Sequence, residues 1–119
     1  MHRKLVVVIA LVAVLGLTAV AAYAATTLRN PAHPTALKYA KKTLTAKAGK
    51  ITLVMANPSV LPHNIAIKKG KRVIAKGRVV PKGGVSRVVV TLKAGIYRFY
   101  CSVPGHEAGG MWGTLRVTA

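Results

Sequence analysis

Acidic side chains are almost missing from these 119 residues. Glu107 is the only one, there is no aspartate, and nineteen lysines and arginines stand against it. That scarcity excludes the paired carboxylates of glycoside hydrolysis, the acidic cages that hold calcium or magnesium and a Ser-His-Asp triad. Cysteine is as rare. Cys101 stands alone, so no internal disulfide can form, and in an exported chain the residue is left as a free thiol or a ligand. Aromatics are few, with one Phe, one Trp and four Tyr, so the core must be built from Val, Leu, Ile and Ala. Beyond the N-terminal stretch no helical period is sustained over three turns.

The chain has room for one domain and a short appendage. Its formal charge of +18 bears on partners and solubility rather than fold, and favours an anionic surface. His2, Arg3 and Lys4 precede an apolar run from Leu5 to Ala22 that is broken only by Thr18. Ala22-Tyr23-Ala24 then has the small-x-small form of a cleavage site, with cutting expected after Ala24. Residues 1–24 thus read as a signal peptide. The run is also long enough to read as an uncleaved N-terminal membrane anchor helix. Either way the domain is extracytoplasmic: periplasmic, secreted, or held at the outer face of the cytoplasmic membrane. Residues 25–36 are polar, carry two prolines and lack periodicity, which predicts a linker. His33 is expected to be a solvated linker histidine.

From Leu37 the pattern changes to short β-runs separated by turn signals. Strands are predicted over 37–46, 51–57, 63–69, 72–76, 85–92, 95–101 and 113–118. Seven or so such strands predict a sandwich or barrel of two antiparallel sheets over residues 37–119. Side chains alternate across a strand. Tyr97, Phe99 and Cys101 therefore share one face, the inner one, with Cys101 at the strand end. By the same parity His63, Ile65 and Ile67 share the inner face of their strand, with His63 at its start.

Cys101 opens a loop rich in glycine and proline, Cys101-Ser102-Val103-Pro104-Gly105-His106-Glu107-Ala108-Gly109-Gly110-Met111. Thiolate, imidazole and thioether are ligands that suit copper. Two inward-facing strand ends bring His63 toward this loop and supply a fourth donor. Singly, each residue has an ordinary structural reading: a buried small cysteine, a turn histidine, a core methionine. Jointly, His63, Cys101, His106 and Met111 describe a copper site with two imidazoles, a thiolate and a weak axial thioether.

The Pro62-His63-Asn64 element and the segment Phe99-Tyr100-Cys101-Ser102…His106…Met111…Gly113-Thr114-Leu115 resemble the cupredoxins, the small blue-copper proteins of plastocyanin and azurin type. The resemblance covers some 80 residues and implies a cupredoxin-like Greek-key β-sandwich of about seven to eight strands. It implies one copper ion held by His63, Cys101 and His106 in the equatorial plane, with Met111 axial. It further implies that Asn64 ties the two ligand loops together near Ser102 and turns its backbone N–H toward the sulfur. Four residues separate Cys101 from His106, as in azurin-like loops, and four separate His106 from Met111, as in plastocyanin-like ones. The copper enzymes of this family place a histidine beside the cysteine, whereas here the neighbours are Tyr100 and Ser102. The expected function is therefore one-electron transfer without a substrate, with no enzymatic activity.

Electrons are expected to pass at the exposed edge of His106, inside an apolar docking patch of Leu61, Pro62, Val103, Pro104 and Ala108. Glu107 reads as a polar loop position or a local counter-charge. The basic surface predicts an acidic redox protein as donor or acceptor, and an anionic membrane surface as a further partner. No nucleic-acid motif accompanies the charge, and a monomer is expected. The competing reading is an extracytoplasmic copper carrier or sequestering protein that uses the same ligands.

Overall fold

The computed structural model describes residues 3–4, 6–10 and 24–119. The expected signal or anchor helix falls mostly outside the described residues. Among the described residues no helix is long and apolar enough to cross a membrane. Residues 24–119 form eight strands: β1 (Ala24–Arg29), β2 (Thr43–Lys47), β3 (Gly49–Ala56), β4 (Ala66–Lys69), β5 (Arg72–Lys76), β6 (Val85–Leu92), β7 (Gly95–Tyr100) and β8 (Trp112–Thr118). They lie in a three-stranded sheet, β1-β3-β6, and a five-stranded sheet, β2-β8-β7-β4-β5. The chain passes repeatedly between the two sheets, as in a Greek-key sandwich. Strict alternation drives the layering. β6 runs exposed-buried along its whole length, and its inner residues Val88, Val90 and Leu92 meet Ile51, Leu53, Phe99 and Leu115 in one core.

Four expectations are corrected. The linker predicted over residues 25–36 is part of the sandwich. Ala24 to Arg29 pair in parallel with Gly49 to Val54, and Asn30, fully buried, continues the attachment. Its backbone N–H donates to the Val54 carbonyl at 2.9 Å. Its side chain accepts from the Lys41 N–H at 2.8 Å and donates to the Lys41 carbonyl at 2.9 Å. The polar, proline-bearing composition reflects an edge position, where a strand has one paired side and needs few apolar residues.

Second, the strand predicted over 37–46 is confined to β2. Residues 37–42 are irregular because Tyr39 turns inward, 4 % exposed, and its hydroxyl donates to the Asn64 carbonyl at 2.7 Å. Third, the strand predicted from His63 starts at Ala66. His63 makes only an isolated bridge to Val80, while the Ile65 N–H donates to the side-chain hydroxyl of Ser86 on β6 rather than to a strand's backbone. Fourth, the sheets are mixed, since β1–β3 and β2–β8 are parallel pairs.

β7 and β8 carry the ligand loop between them, and their pairing depends on Gly113. A Cβ there would collide with Phe99 Cζ and with the Lys42 carbonyl. Both neighbours are fixed, the ring by core packing and the carbonyl by the Thr114 N–H at 2.9 Å. Gly113→Ala should destabilise the fold by about 1–3 kcal/mol, the usual cost of overpacking a filled core. Urea denaturation should show this as a lower midpoint with an unchanged slope.

Candidate metal centre

β7 ends at Tyr100, and the next residue, Cys101, is 1 % exposed. Parity along the strand predicts that inward placement, and Tyr97 and Phe99 are buried with it. The backbone then turns through a loop closed on itself. The Cys101 N–H donates to the Met111 carbonyl at 3.0 Å, and the Met111 N–H donates to the His106 carbonyl at 3.0 Å. These bonds fix three of the four predicted ligands relative to one another before any side chain is considered. Gly105 and Gly110 adopt φ of +82° and +115°, a region where L side chains are strained, so the loop can turn this tightly only with glycine there.

His63 enters from the other loop, pinned by reciprocal backbone bonds with Val80 at 3.2 and 2.8 Å. The result is a convergence of three donor atoms. His63 Nδ1 lies 3.1 Å from His106 Nδ1, Cys101 Sγ lies 3.6 Å from His106 Nδ1, and Sγ lies 3.9 Å from His63 Nδ1. A point equidistant from atoms so spaced is about 2.1 Å from each, close to the bond lengths of first-row metals to nitrogen and sulfur. Met111 is fully buried beside them.

The donor arrangement fits a metal better than hydrogen bonding does. Nδ1 of His63 faces the two other donor atoms at the convergence point, and its Nε2 is buried with no partner among the described residues. Burial, helped by the neighbouring His106, lowers the His63 pKa and keeps the ring neutral. Burial raises the Cys101 thiol pKa, against backbone N–H groups of Asn64 and Val103 that point at the sulfur and lower it. The Cys101 thiol is therefore the group that would exchange its proton for a soft or borderline cation, while the neutral His63 ring offers a lone pair.

Asn64 joins the two loops. Fully buried, its Oδ1 accepts from the Ser102 N–H at 2.7 Å, and its Nδ2 donates to the Ser102 hydroxyl at 2.8 Å and the Gly77 carbonyl at 2.9 Å. Other supporting groups are not apparent in the sequence. Tyr39 holds the Asn64 carbonyl and packs edge-on against Phe99 with ring centroids 5.3 Å apart. Only its aromaticity within an apolar-poor stretch could have marked it. Glu107 is clamped by Lys68 from β4, at 2.8 Å to Oε1, and by Arg98 from β7, at 3.0 Å to Oε2. Burial works to raise the Glu107 pKa, but the hydrogen bonds and charges of Lys68 and Arg98 outweigh it and hold the carboxyl below its ordinary value. Being the only acid was its one signal.

The predicted docking residues surround the loops unevenly. Leu61, Pro62, Pro104 and Ala108 are exposed, and Val103 and His106 are half-buried. Val60, missing from the predicted patch, is 79 % exposed beside Leu61. His33 stays away from the site; its Nδ1 accepts from the N–H groups of Thr35 and Ala36 at 3.1 and 3.0 Å.

A β-sandwich with a thiolate and two imidazoles converging at one end defines a mononuclear soft-metal protein. The chain belongs to the copper-binding proteins of the plastocyanin/azurin family, whose model matches residues 26–118, and its cofactor is one copper ion. It is similar to the crystal structure of dithionite-reduced auracyanin from Roseiflexus castenholzii, with 28 % identity over 81 % of this chain and all of that one, and a TM-score of 0.73. Auracyanin A, a blue copper protein of Chloroflexus aurantiacus, shares the fold at 24 % identity, a TM-score of 0.73 and coverage of 80 % of this chain and 100 % of that one. The azurin Az-iso2 of Methylomonas sp. strain J does so at 19 % identity and a TM-score of 0.67, over 81 % of this chain and 100 % of that one. No curated protein sequence matches at a significant level.

Two outcomes follow for this site. Asn64→Ala strips partners from the Ser102 N–H and the Gly77 carbonyl and should cost about 2–3 kcal/mol in the copper-free protein, read by urea denaturation. Because the raised thiol pKa keeps Cys101 protonated through neutral pH while His63 is already neutral, copper uptake near pH 7.5 should release about one proton. Apparent affinity should weaken roughly tenfold per unit as pH falls while the thiol stays protonated. Titration calorimetry in buffers of different ionisation enthalpy measures both.

Proposed function

We propose that the protein is an extracytoplasmic one-electron carrier without enzymatic activity. The observation that carries this reading is the burial pattern of the ligand set. His63, Cys101 and Met111 are 0–1 % exposed, and His106 alone of the four reaches the surface, half-buried. Bound copper would supply a one-electron couple. Cys101 would hold it as thiolate, His63 and His106 through their imidazoles, and Met111 through its thioether.

The chain's own residues supply rigidity and access. Asn64, the Val80 bridge and the Cys101–Met111–His106 backbone bonds hold the donors in place, so little can move when the charge changes. The edge of His106 offers the shortest route out. Leu61, Pro62, Val103, Pro104 and Ala108, joined by Val60, give a partner an apolar surface that excludes water over that edge. The basic residues farther out steer an acidic redox protein toward it. Among the described residues His63, Cys101 and His106 are the one cluster able to hold a metal, which supports electron transfer over multi-copper catalysis. A carrier that hands copper itself to a partner would keep its ligands exposed, and here three of the four are sealed. Residues 1–24 act as the export signal or as a retained anchor.

Copper-loaded protein should be intensely blue when oxidised and bleach on reduction. Cys101→Ser should abolish the colour, and Met111→Leu should keep copper and colour while raising the reduction potential. Visible and EPR spectroscopy with voltammetry test this; a colourless Cu(II) form, or rapid loss of copper to a chelator, would overturn it.

A further inference from the structure

The N-terminal boundary of the sandwich limits how far the domain can stand from a membrane. The apolar run ends at Ala22, and Ala24 is already paired with Gly49. Only Tyr23 lies between. Two residues reach at most about 7 Å, roughly the thickness of one headgroup layer. A retained anchor therefore brings the Ala24–Gly49 end of the sandwich against the headgroups, with no tether to hold it away. The ligand loops lie at the other end: β3 runs from Gly49 to Ala56, and the residues beyond it lead to His63. Eight extended residues put the two ends about 26 Å apart.

The end where the chain enters is basic. Lys47 is paired with Thr118, Lys50 with Thr91, and Lys93 follows Leu92, the partner of Gly49. Lys69, Arg72 and Lys93 line a recess of about 410 Å³ with Tyr97, whose ring lies 4.6 Å from the Lys69 ammonium. All five cations are exposed. The sole acidic side chain, Glu107, is in the ligand loop, engaged by Lys68 and Arg98.

We propose that this end is a membrane-facing surface, on which Lys47, Lys50, Lys69, Arg72 and Lys93 seat against the phosphates of anionic phospholipids. The copper end is thereby held outward, toward the partner in solution. Basic residues close to an anionic leaflet are attracted to it, and the attraction fades within a Debye length, so contact depends on the short connection. The inference rests on the reading of residues 1–24 as a retained anchor.

The test uses the full-length, copper-loaded protein in vesicles of phosphatidylcholine alone and of phosphatidylcholine mixed with phosphatidylglycerol. Lysines are acetylated with a membrane-impermeant reagent and quantified by peptide mass spectrometry. Lys47, Lys50, Lys69 and Lys93 should react at least about threefold more slowly in the anionic vesicles, while the exposed Lys38 and Lys82, near the ligand loops, should not change. Equal rates at the four lysines, or equal slowing in both lipids, would overturn the headgroup contact. The same slowing by inorganic phosphate on detergent-solubilised protein would show a free-anion site and overturn the membrane assignment. The intact mass of protein extracted from its native membrane tests the anchor separately. A chain starting at Ala25 overturns the anchored reading; an intact chain with unprotected lysines overturns the surface alone.

Discussion

The side-chain amide of Asn64 is the joint on which the metal centre depends. Three of its hydrogen bonds, to the Ser102 N–H, the Ser102 hydroxyl and the Gly77 carbonyl, connect segments remote in sequence. Without them the His63 loop and the Cys101 loop would lose the amide hydrogen bonds that join one directly to the other. The donors must stay within a few tenths of an ångström of their places for a metal to be held at one geometry, and loops on strand ends do not achieve that unaided. A buried amide can, because its donors and its acceptor have fixed directions and each has a partner here. Tyr39 extends the joint by taking the Asn64 carbonyl and leaning on Phe99. Position is thus passed from the core to the amide, and from the amide to the ligand loop.

Charge is organised around the same loop. Exposed ion pairs contribute little, typically up to about 1 kcal/mol, but Glu107 belongs to a longer chain. Lys68, bonded to one carboxylate oxygen, lies 4.4 Å from the Tyr100 ring centroid; Arg98, bonded to the other, lies 3.8 Å from that of Trp112, which Lys42 approaches from 3.3 Å. Five side chains from three strands and their borders are stitched to the residue next to His106. In a protein whose charges otherwise repel one another, the single carboxylate is placed where it restrains the ligand loop. The linkage has a direction: because the folded pKa of Glu107 is depressed, its contribution is present above the ordinary carboxylate range and lost as pH falls through the folded value.

Much of the site is legible in the sequence because its donors are rare and sit at strand ends. Parity along residues 97–101 places Cys101 inward whatever the rest of the fold, since Tyr97 and Phe99 cannot both face solvent. The glycines of the loop announce its turns. Residues 63–67 illustrate the opposite case. Parity points His63 inward correctly, yet Asn64 and Ala66 are buried as well, because this segment lies where the two sheets meet and has no solvent face. Alternation holds only where one side of a strand is wet. The edge strand β1 is hidden for a related reason. Thr26, Thr27 and Arg29 look like linker because an edge strand is specified by its backbone partner β3, not by an apolar stripe of its own. The buried Asn30, which draws residues 30–41 onto the sheet, reads in sequence as a turn residue before a proline. Its role appears only with the Lys41 backbone beside it.

Recasting residues 24–29 from linker to strand alters what the apolar N-terminus can do. A flexible linker of a dozen residues would let the domain tumble above a membrane and present any face. Were the apolar run retained in a membrane, a strand that begins two residues after it would remove that freedom and fix which end is near the bilayer. The parallel pairing of β1 with β3 then matters more than its modest burial indicates. It sets the direction in which the chain travels, from the basic end toward the ligand loops. An antiparallel β1 would enter beside His63 and press the half-buried His106 toward the lipid. Under the anchored reading, the register of six residue pairs is what would turn the copper end outward.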